Sequence, residues 1–446
     1  MKDTRIFVPD GAKAIIDILE YRGYEVYLIG GCVRDSLLRK NPKEWDVCTN
    51  AIPAEVAYCS RLVNAVVSDV SEAFGVVHVL IDDVKYNITS YQMDTEHPNL
   101  GYMTQLEREL SRRVFSVNAM AYYPETGLID PFGGHNDLAM GVLRCIGNAD
   151  TRLKENPVWI LRALRLASTY HLTITSETAE AMHHNKELLR AVKPEQIRDE
   201  LCKMLVGDNI RRILTEFEDI IEVIIPEIHS MVGFAQNNPW HNYDVWMHTV
   251  HTVAEAKPDP TLRMMALLHD IGKPHTYQED ENGVGHFLGH PAISAEISKD
   301  ILTRLQFSNE SERLILKVIS AHDTRMEMST RAVRRMLYRL GKEGFAAFLN
   351  LREADILAQS EEQMEQRLDK VANLRCIASK ILAAQECFSI KDLAINGKDL
   401  MKLGIQPGPN MGVILRSLLE KVIENPEENE RDILMGKAKK LAAESN

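Results

Sequence analysis

The run Val26-Tyr27-Leu28-Ile29-Gly30-Gly31 constrains the fold of this chain more than any other stretch. Glu25 to Ile29 reads as a buried strand, and a strand that ends on two glycines turns where side chains would obstruct the backbone. Val33–Leu38 opens a helix after the turn, and Trp45–Thr49 reads as the next strand. Residues 11–22 carry apolar side chains at helical spacing, while Val76–Ile81 and Lys85–Tyr91 read as a hairpin around Asp82-Asp83. Together these elements predict a small α/β domain over residues 1–147.

Beyond Asp150 the periodicity becomes helical, with helices expected at 159–170, 178–189, 197–206 and 210–217. Pro226 and the segment Gln236-Asn237-Asn238-Pro239-Trp240-His241 mark a loop before a histidine-rich helical region. A charged helix is expected over 351–385, then a loop at Gln406-Pro407-Gly408-Pro409 and two final helices. The boundaries drawn on this basis are 1–147, 148–230, 231–350 and 351–446. At 446 residues, two to four domains is the expectation.

Composition excludes several classes. No apolar run approaches the ~20 residues of a membrane span, and Met1-Lys2-Asp3-Thr4-Arg5 is not followed by a signal core. The seven scattered cysteines have no CxxC spacing, which points to a reduced cytoplasm rather than a disulfide framework. A net charge of −12 argues against bulk coating of nucleic acid, although a local basic stripe would still follow RNA.

The next feature with chemical content is Glu44-Trp45-Asp46. Two acids at i and i+2 of a strand face the same side and can reach the same divalent ions, the arrangement that nucleotidyl transfer uses. Gly30 and Gly31 would let backbone amides approach a phosphate, and Arg34 could neutralise it. These fragments alone are equally a glycine turn and an exposed strand end.

Longer matches decide between them. Gly30-Gly31-Cys32-Val33-Arg34-Asp35-Ser36-Leu37-Leu38, Trp45-Asp46-Val47-Cys48-Thr49, the run from Arg112 to Ala121, Gly127–Gly134 and Leu161-Arg162-Ala163-Leu164-Arg165 resemble the class II tRNA nucleotidyltransferase and poly(A) polymerase family. The resemblance implies a polymerase-beta-like α/β nucleotidyltransferase head followed by an all-α neck, an HD-type body and a tail. It also implies RNA as partner, through the tRNA acceptor end, and ATP or CTP with Mg at the head. The expected nucleotide-binding residues are Gly30, Gly31, Arg34, Asp35, Arg113, Asn118, Arg162 and Arg165.

Departures from the family pattern fall on chemistry. Glu44 stands where the family has Asp, and Asn87 where it has an acid on the hairpin strand. Gln92 replaces a basic residue, and Val114 an Asp after the paired arginines. The base-selecting Glu-Asp-x-x-Arg element reads Glu155-Asn156-Pro157-Val158-Trp159, without the guanidinium fork. Glu44 and Asp46 are therefore expected to be a degenerate transferase pair.

The histidine-rich region resembles the HD phosphohydrolase pattern in its ordered series His248, His269-Asp270, His286, His290 and Asp323. Imidazole and carboxylate donors of this kind suit Mg, Mn, Fe, Co or Ni, and Lys273 could offset phosphate charge. His322 and His251 are expected to lie outside the ligand set. The basic residues Arg190, Lys193, Arg198, Lys203, Arg211 and Arg212 could follow RNA phosphate or simply face solvent. Small residues near Gly397 and Gly408 could leave helix-start amides for phosphate.

The overall expectation is an RNA-binding family member with an eroded transferase head and a metal-dependent phosphodiesterase or phosphatase site. An active CCA- or A-adding transferase and a non-catalytic tRNA-binding module are the alternatives.

Overall fold

The computed structural model describes residues 5–72, 75–91, 104–238 and 242–444. The chain forms two compact units, residues 1–192 and 193–446. The helical segment expected at 148–230 is thus divided between them.

In the first unit, helices α1 (Asp10–Tyr21), α2 (Gly31–Leu37) and α3 (Pro53–Leu62) accompany strands β1 (Val26–Ile29), β2 (Glu44–Thr49), β3 (Val66–Ser71), β4 (Val76–Ile81), β5 (Val84–Ser90), β6 (Ala121–Tyr123) and β7 (Gly127–Ile129). The sheet order is β3-β4-β5-β2-β1-β6-β7, so β1 and β2 lie inside it and the glycine turn opens between interior strands. β2 runs parallel to β5, with Asp46 opposite Asn87, and antiparallel to β1, with Asp46 opposite Ile29. Trp45 and Val47 are buried on one face, which leaves Glu44 and Asp46 on the other, as the period of a strand requires.

Pattern reading missed β3, which is mostly exposed along its length, and β6 and β7, which are three residues each. Helices α4 (Gln105–Ser111), α5 (Gly134–Met140), α6 (Ala149–Glu155), α7 (Val158–Tyr170) and α8 (Ser176–Asn185) complete the unit. Ile29, Cys48, Leu106, Leu110, Ala119 and Ala121 form one of its core clusters.

The second unit is helical: α9 (Pro194–Leu205), α10 (Ile210–Glu216), α11 (Glu218–Ile224), α12 (Val245–Glu255), α13 (Pro260–Leu268), α14 (His290–Arg304), α15 (Asn309–Ile319), α16 (Thr330–Leu357), α17 (Met364–Ala383), α18 (Gly397–Lys402), α19 (Pro409–Glu424) and α20 (Arg431–Glu444). α16 runs through the boundary expected at residue 350, and the charged helix expected over 351–385 is the end of α16 followed by α17. All seven cysteines are free. No described helix is long and apolar enough to cross a membrane.

Candidate functional site

Chemistry-bearing residues gather at two places, one in each unit. In the head, Gly30 has φ +74°, and a Cβ there would lie 2.9 Å from Arg113 Nη1 and 3.3 Å from Asp46 Oδ2. Glycine is needed because the backbone, an arginine and an acid converge on one point. Arg113 Nη1 sits 3.5 Å from Asp46 Oδ2, and Asn87 Nδ2 donates to Asp46 Oδ1 at 3.0 Å. Asn87 Oδ1 lies 2.8 Å from His78 Nδ1, which fixes the amide with its nitrogen toward Asp46. Both oxygens of Asp46 therefore face donors, while Glu44 is exposed at the start of the strand. Val114 holds φ +64°, a conformation costly for a β-branched side chain, directly after Arg113.

Other head residues are placed differently from expectation. Arg34 is buried: it bonds Asp35 Oδ1 at 2.9 and 2.7 Å, donates to Tyr170 Oη at 2.6 Å and to Asn118 Oδ1, and lies 4.2 Å from the Tyr170 ring. Arg34, Asp35 and Asn118 thus fasten α2 to the end of α7, because a guanidinium whose donors are spent internally is not presented to a phosphate. Gly31 opens α2, and Arg162 and Arg165 are three residues apart on α7, exposed and half-buried respectively. Asn156 Oδ1 accepts from Val158 N, and Trp159 lies under the Arg152 guanidinium at 5.5 Å. Gln92 lies outside the described residues.

The second place is a buried cluster in the helical unit. His248 comes from α12, His269 and Asp270 follow α13, His290 opens α14, His322 follows α15 and Asp355 comes from α16. His248 Nε2 is 3.4 Å from Asp270 Oδ2 and 3.0 Å from Asp355 Oδ1, and His269 Nε2 is 3.1 Å from Asp270 Oδ2. On the other side, His290 Nε2 and His322 Nε2 lie 3.3 and 3.5 Å from Asp270 Oδ1. Each oxygen of Asp270 therefore faces its own pair of imidazoles. His248, His269 and Asp270, and again Asp270, His290 and His322, form groups able to hold an ion.

Tautomers support that reading. Nδ1 of His269, His290 and His322 lies 2.8, 2.7 and 2.7 Å from the carbonyls of Ala266, Phe287 and Ile319. A carbonyl only accepts, so each Nδ1 carries a proton, and each Nε2 is turned inward toward Asp270. His290 Nε2 and His322 Nε2 stand 3.0 Å apart, a separation that a shared proton or an ion bound by both nitrogens accommodates. His269 Nε2 is buried without a well-aligned hydrogen bond. The donor set thus fits two divalent ions sharing Asp270. Burial would raise the pKa of Asp270, but His269, Lys273 and His248 hold it far below the usual carboxylate range. Burial likewise opposes the charged form of His248, yet Asp270 and Asp355 raise its pKa on balance.

Three expectations for this cluster are corrected. His286 points outward: Gly285 is buried and its strand neighbour His286 is exposed, with Nε2 2.9 Å from Asp280 Oδ2. Asp323 is exposed, because the turn after α15 sends His322 inward and its neighbour to solvent. His322 belongs to the cluster, and Asp355 reaches it through His248 at 3.0 Å. Asp355 was missed because it lies beyond the boundary drawn at 350, although a lone Asp in a helix with an apolar face was its available signal. Lys273, expected to offset phosphate charge, is buried with Nζ 2.7 Å from Asp270 Oδ2 and 2.8 Å from Gln236 Oε1.

Three of the six basic RNA-facing candidates are paired with acids. Arg190, Arg198 and Arg212 pair with Glu187, Asp199 and Glu216. At the start of α18, Asn396 accepts from Lys398 N, so that helix end is capped by its own side chain. The start of α19 has no side-chain cap.

Known proteins resemble the chain over its length. Residues 26–144 match a family model described as "Poly A polymerase head domain", residues 171–232 one described as "Probable RNA and SrmB-binding site of polymerase A", and residues 276–438 a "tRNA nucleotidyltransferase domain 2" model. An A-adding tRNA nucleotidyltransferase of Deinococcus radiodurans is 30% identical over 407 residues, 88% of this chain and 90% of the relative. A CCA-adding enzyme of Lactobacillus delbrueckii subsp. bulgaricus is 27% identical over 96% of both chains. Among solved structures, the Bacillus stearothermophilus CCA-adding enzyme in complex with CTP superimposes with a TM-score of 0.70 at 22% identity, covering 98% of this chain and 99% of that one. The Thermotoga maritima CCA-adding enzyme complexed with tRNA gives 0.56 at 20% identity, over 99% and 97%. At these identities the structures speak for the fold.

Proposed function

Because the chain belongs to the class II tRNA nucleotidyltransferase and poly(A) polymerase family, we propose that it binds the 3′ end of a tRNA and adds a nucleotide to it from ATP or CTP. The observation that carries this reading is 30% identity to an A-adding tRNA nucleotidyltransferase across 88% of the chain. Relatives solved with CTP and with tRNA support a nucleotide and an RNA as partners. In this reading Glu44 and Asp46 would hold Mg, which when bound activates the RNA hydroxyl and steadies the triphosphate. The acids share one face of β2, which suits the role. Asn87 and Arg113 must yield the oxygens of Asp46 before ions enter, so transfer is expected to be slow. Incubating tRNA lacking its 3′-terminal CCA with labelled CTP and ATP tests the reading. Extension abolished by Asp46→Ala supports it, and no extension with any nucleotide sinks it.

A second reading is favoured by the buried cluster around Asp270: metal-dependent hydrolysis of a phosphate ester, with the head kept for RNA contact and its transferase chemistry eroded. His248, His269, Asp270, His290, His322 and Asp355 would hold the ions, which when bound activate water and hold a phosphate oxygen. Lys273 would offset charge beside Asp270. The comparisons speak for transfer more than for hydrolysis, and the support for this reading is the donor set itself. Its assay uses p-nitrophenyl phosphate, bis(p-nitrophenyl) phosphate and 2′,3′-cyclic nucleotides with Mn or Ni. Turnover no greater than that of a His269→Ala/Asp270→Ala variant would remove it. Affinity for tRNA with neither activity would leave a binding module.

A further inference from the structure

The chain carries a net charge of −12, yet one cavity in the helical unit has the opposite sign. It measures about 520 Å³ and is lined by the segment 324–329 and the first turns of α16. Arg325, Arg331, Arg335 and Arg339 line it against a single acid, Glu327, and all four arginines are exposed. Arg331, Arg335 and Arg339 are four residues apart, so they share one helix face at steps of about 6 Å. Like charges one turn apart repel, and a concave wall concentrates their field. A merely solvated helix face mixes the two signs; this row has one sign and looks into a cavity. Glu424, from α19, shows how the row takes an anion: its Oε2 lies 2.6 Å from Arg331 Nε, and its Oε1 accepts from Arg335 Nη2. Two guanidiniums one turn apart thus converge on one group with two acceptor oxygens. The other two are left over. Arg339 reaches only the carbonyl of Ser320, at 3.4 Å, and Arg325 has no hydrogen-bond or ion-pair partner among the described residues.

We propose that this cavity binds an oligophosphate, an anion of two or more linked phosphates, through Arg325, Arg331, Arg335 and Arg339. A single phosphate placed like the Glu424 carboxylate satisfies two guanidiniums. A second phosphate joined to it gives Arg325 and Arg339 their acceptors, each able to take a forked pair of N–H bonds. Among the described residues no aromatic side chain lines the cavity, so nothing there stacks a base or a ring. Recognition is therefore of the phosphates and not of what they are attached to. Inorganic tripolyphosphate and the tail of a nucleoside triphosphate are equivalent ligands. The Glu424 carboxylate competes for Arg331 and Arg335 and holds the affinity down. The site uses none of the residues on which the transfer or the hydrolysis reading rests, so it stands or falls separately from both.

The test is calorimetric, on the full-length chain with EDTA present, so that binding through a metal is removed. Tripolyphosphate and a short RNA without terminal phosphates are titrated into the wild type, Arg325→Gln, Arg339→Gln and Glu424→Gln. Arg61→Gln, which removes an exposed charge from α3 in the other unit, is the control. Tripolyphosphate is expected to bind about tenfold more weakly in each of the first two variants, the loss of a charge-assisted hydrogen bond. It binds several-fold more tightly in Glu424→Gln and unchanged in Arg61→Gln. Opposite signs for the arginine and Glu424 variants are a result that damage to the fold cannot produce. A wild type that binds no tripolyphosphate overturns the proposal, as does unchanged affinity in Arg325→Gln and Arg339→Gln. An equal loss in Arg61→Gln overturns it in favour of bulk charge. A loss confined to the RNA overturns it in favour of a contact with nucleic-acid backbone.

Discussion

At the scale of single residues, the two sites differ in how their acids are employed. Asp46 faces an amide on one oxygen and a guanidinium on the other, whereas each oxygen of Asp270 faces two imidazoles. Asn87→Asp would put a second acid next to Asp46 and remove the amide donor. Primer-extension rates should rise at least several-fold in that variant if transfer is metal-limited; an unchanged rate would show that Asn87 does not set it. At the cluster, His269→Ala and Asp270→Ala should abolish the Mn uptake that an Asp46→Ala chain shows in equilibrium dialysis, while His286→Ala and Asp323→Ala should leave it intact. Equal losses in all four would contradict the placement of the last two in solvent. The sequence made His269-Asp270 legible because the two residues are adjacent. His286 reads as a ligand because it stands in the ordered HD-type series, and only the fold shows that His322 turns inward while His286 faces solvent.

Elements explain why the donors meet. His290 is the first residue of α14, and that helix start packs against Gly272, where an added Cβ would lie 2.5 Å from Ser294 N and 2.8 Å from the carbonyl of His290. Gly272→Ala must push α14 away, costing roughly 1–3 kcal/mol by overpacking and moving His290 off the cluster. Urea unfolding and Mn titration together should record a loss of stability and a weaker or missing second ion. Wild-type behaviour in both would refute the close approach. A second element contact carries a pH dependence. Burial opposes ionisation of Glu227, but paired bonds from Arg304 at 2.7 and 2.8 Å outweigh it and hold its pKa below the ordinary value. A carboxylate depressed on folding adds stability above its unfolded pKa of about 4.3 and loses it as pH falls through the folded value. Because Arg304 is substantially exposed, the contribution is about 1 kcal/mol or less. Glu227→Gln should be less stable than wild type at pH 7 and indistinguishable from it at pH 3, a comparison that denaturant melts can make.

For the whole molecule, two compact units predict two unfolding transitions, and Mn should raise the one belonging to residues 193–446 even in an Asp46→Ala variant. A site bound at a hundredfold excess over its Kd adds about 2.7 kcal/mol, enough to separate the transitions in a calorimetric scan. No shift of that transition in the Asp46→Ala variant would argue against a metal-binding cluster in the helical unit.

Much of the architecture follows from local pattern: the strand into Gly30, the i and i+2 spacing of Glu44 and Asp46, and the helical periodicity after Asp150 all depend on neighbours in the chain. Family membership was legible for the same reason, since its motifs are contiguous runs. Tertiary structure alone decided that Arg34 binds Tyr170, 136 residues away, that Asp46 is met by Asn87 and Arg113, and that Asp355 joins His248. Those outcomes depend on which strands pair and which helix faces converge, and a side chain's partner across such distances is set by packing, which no window of sequence contains.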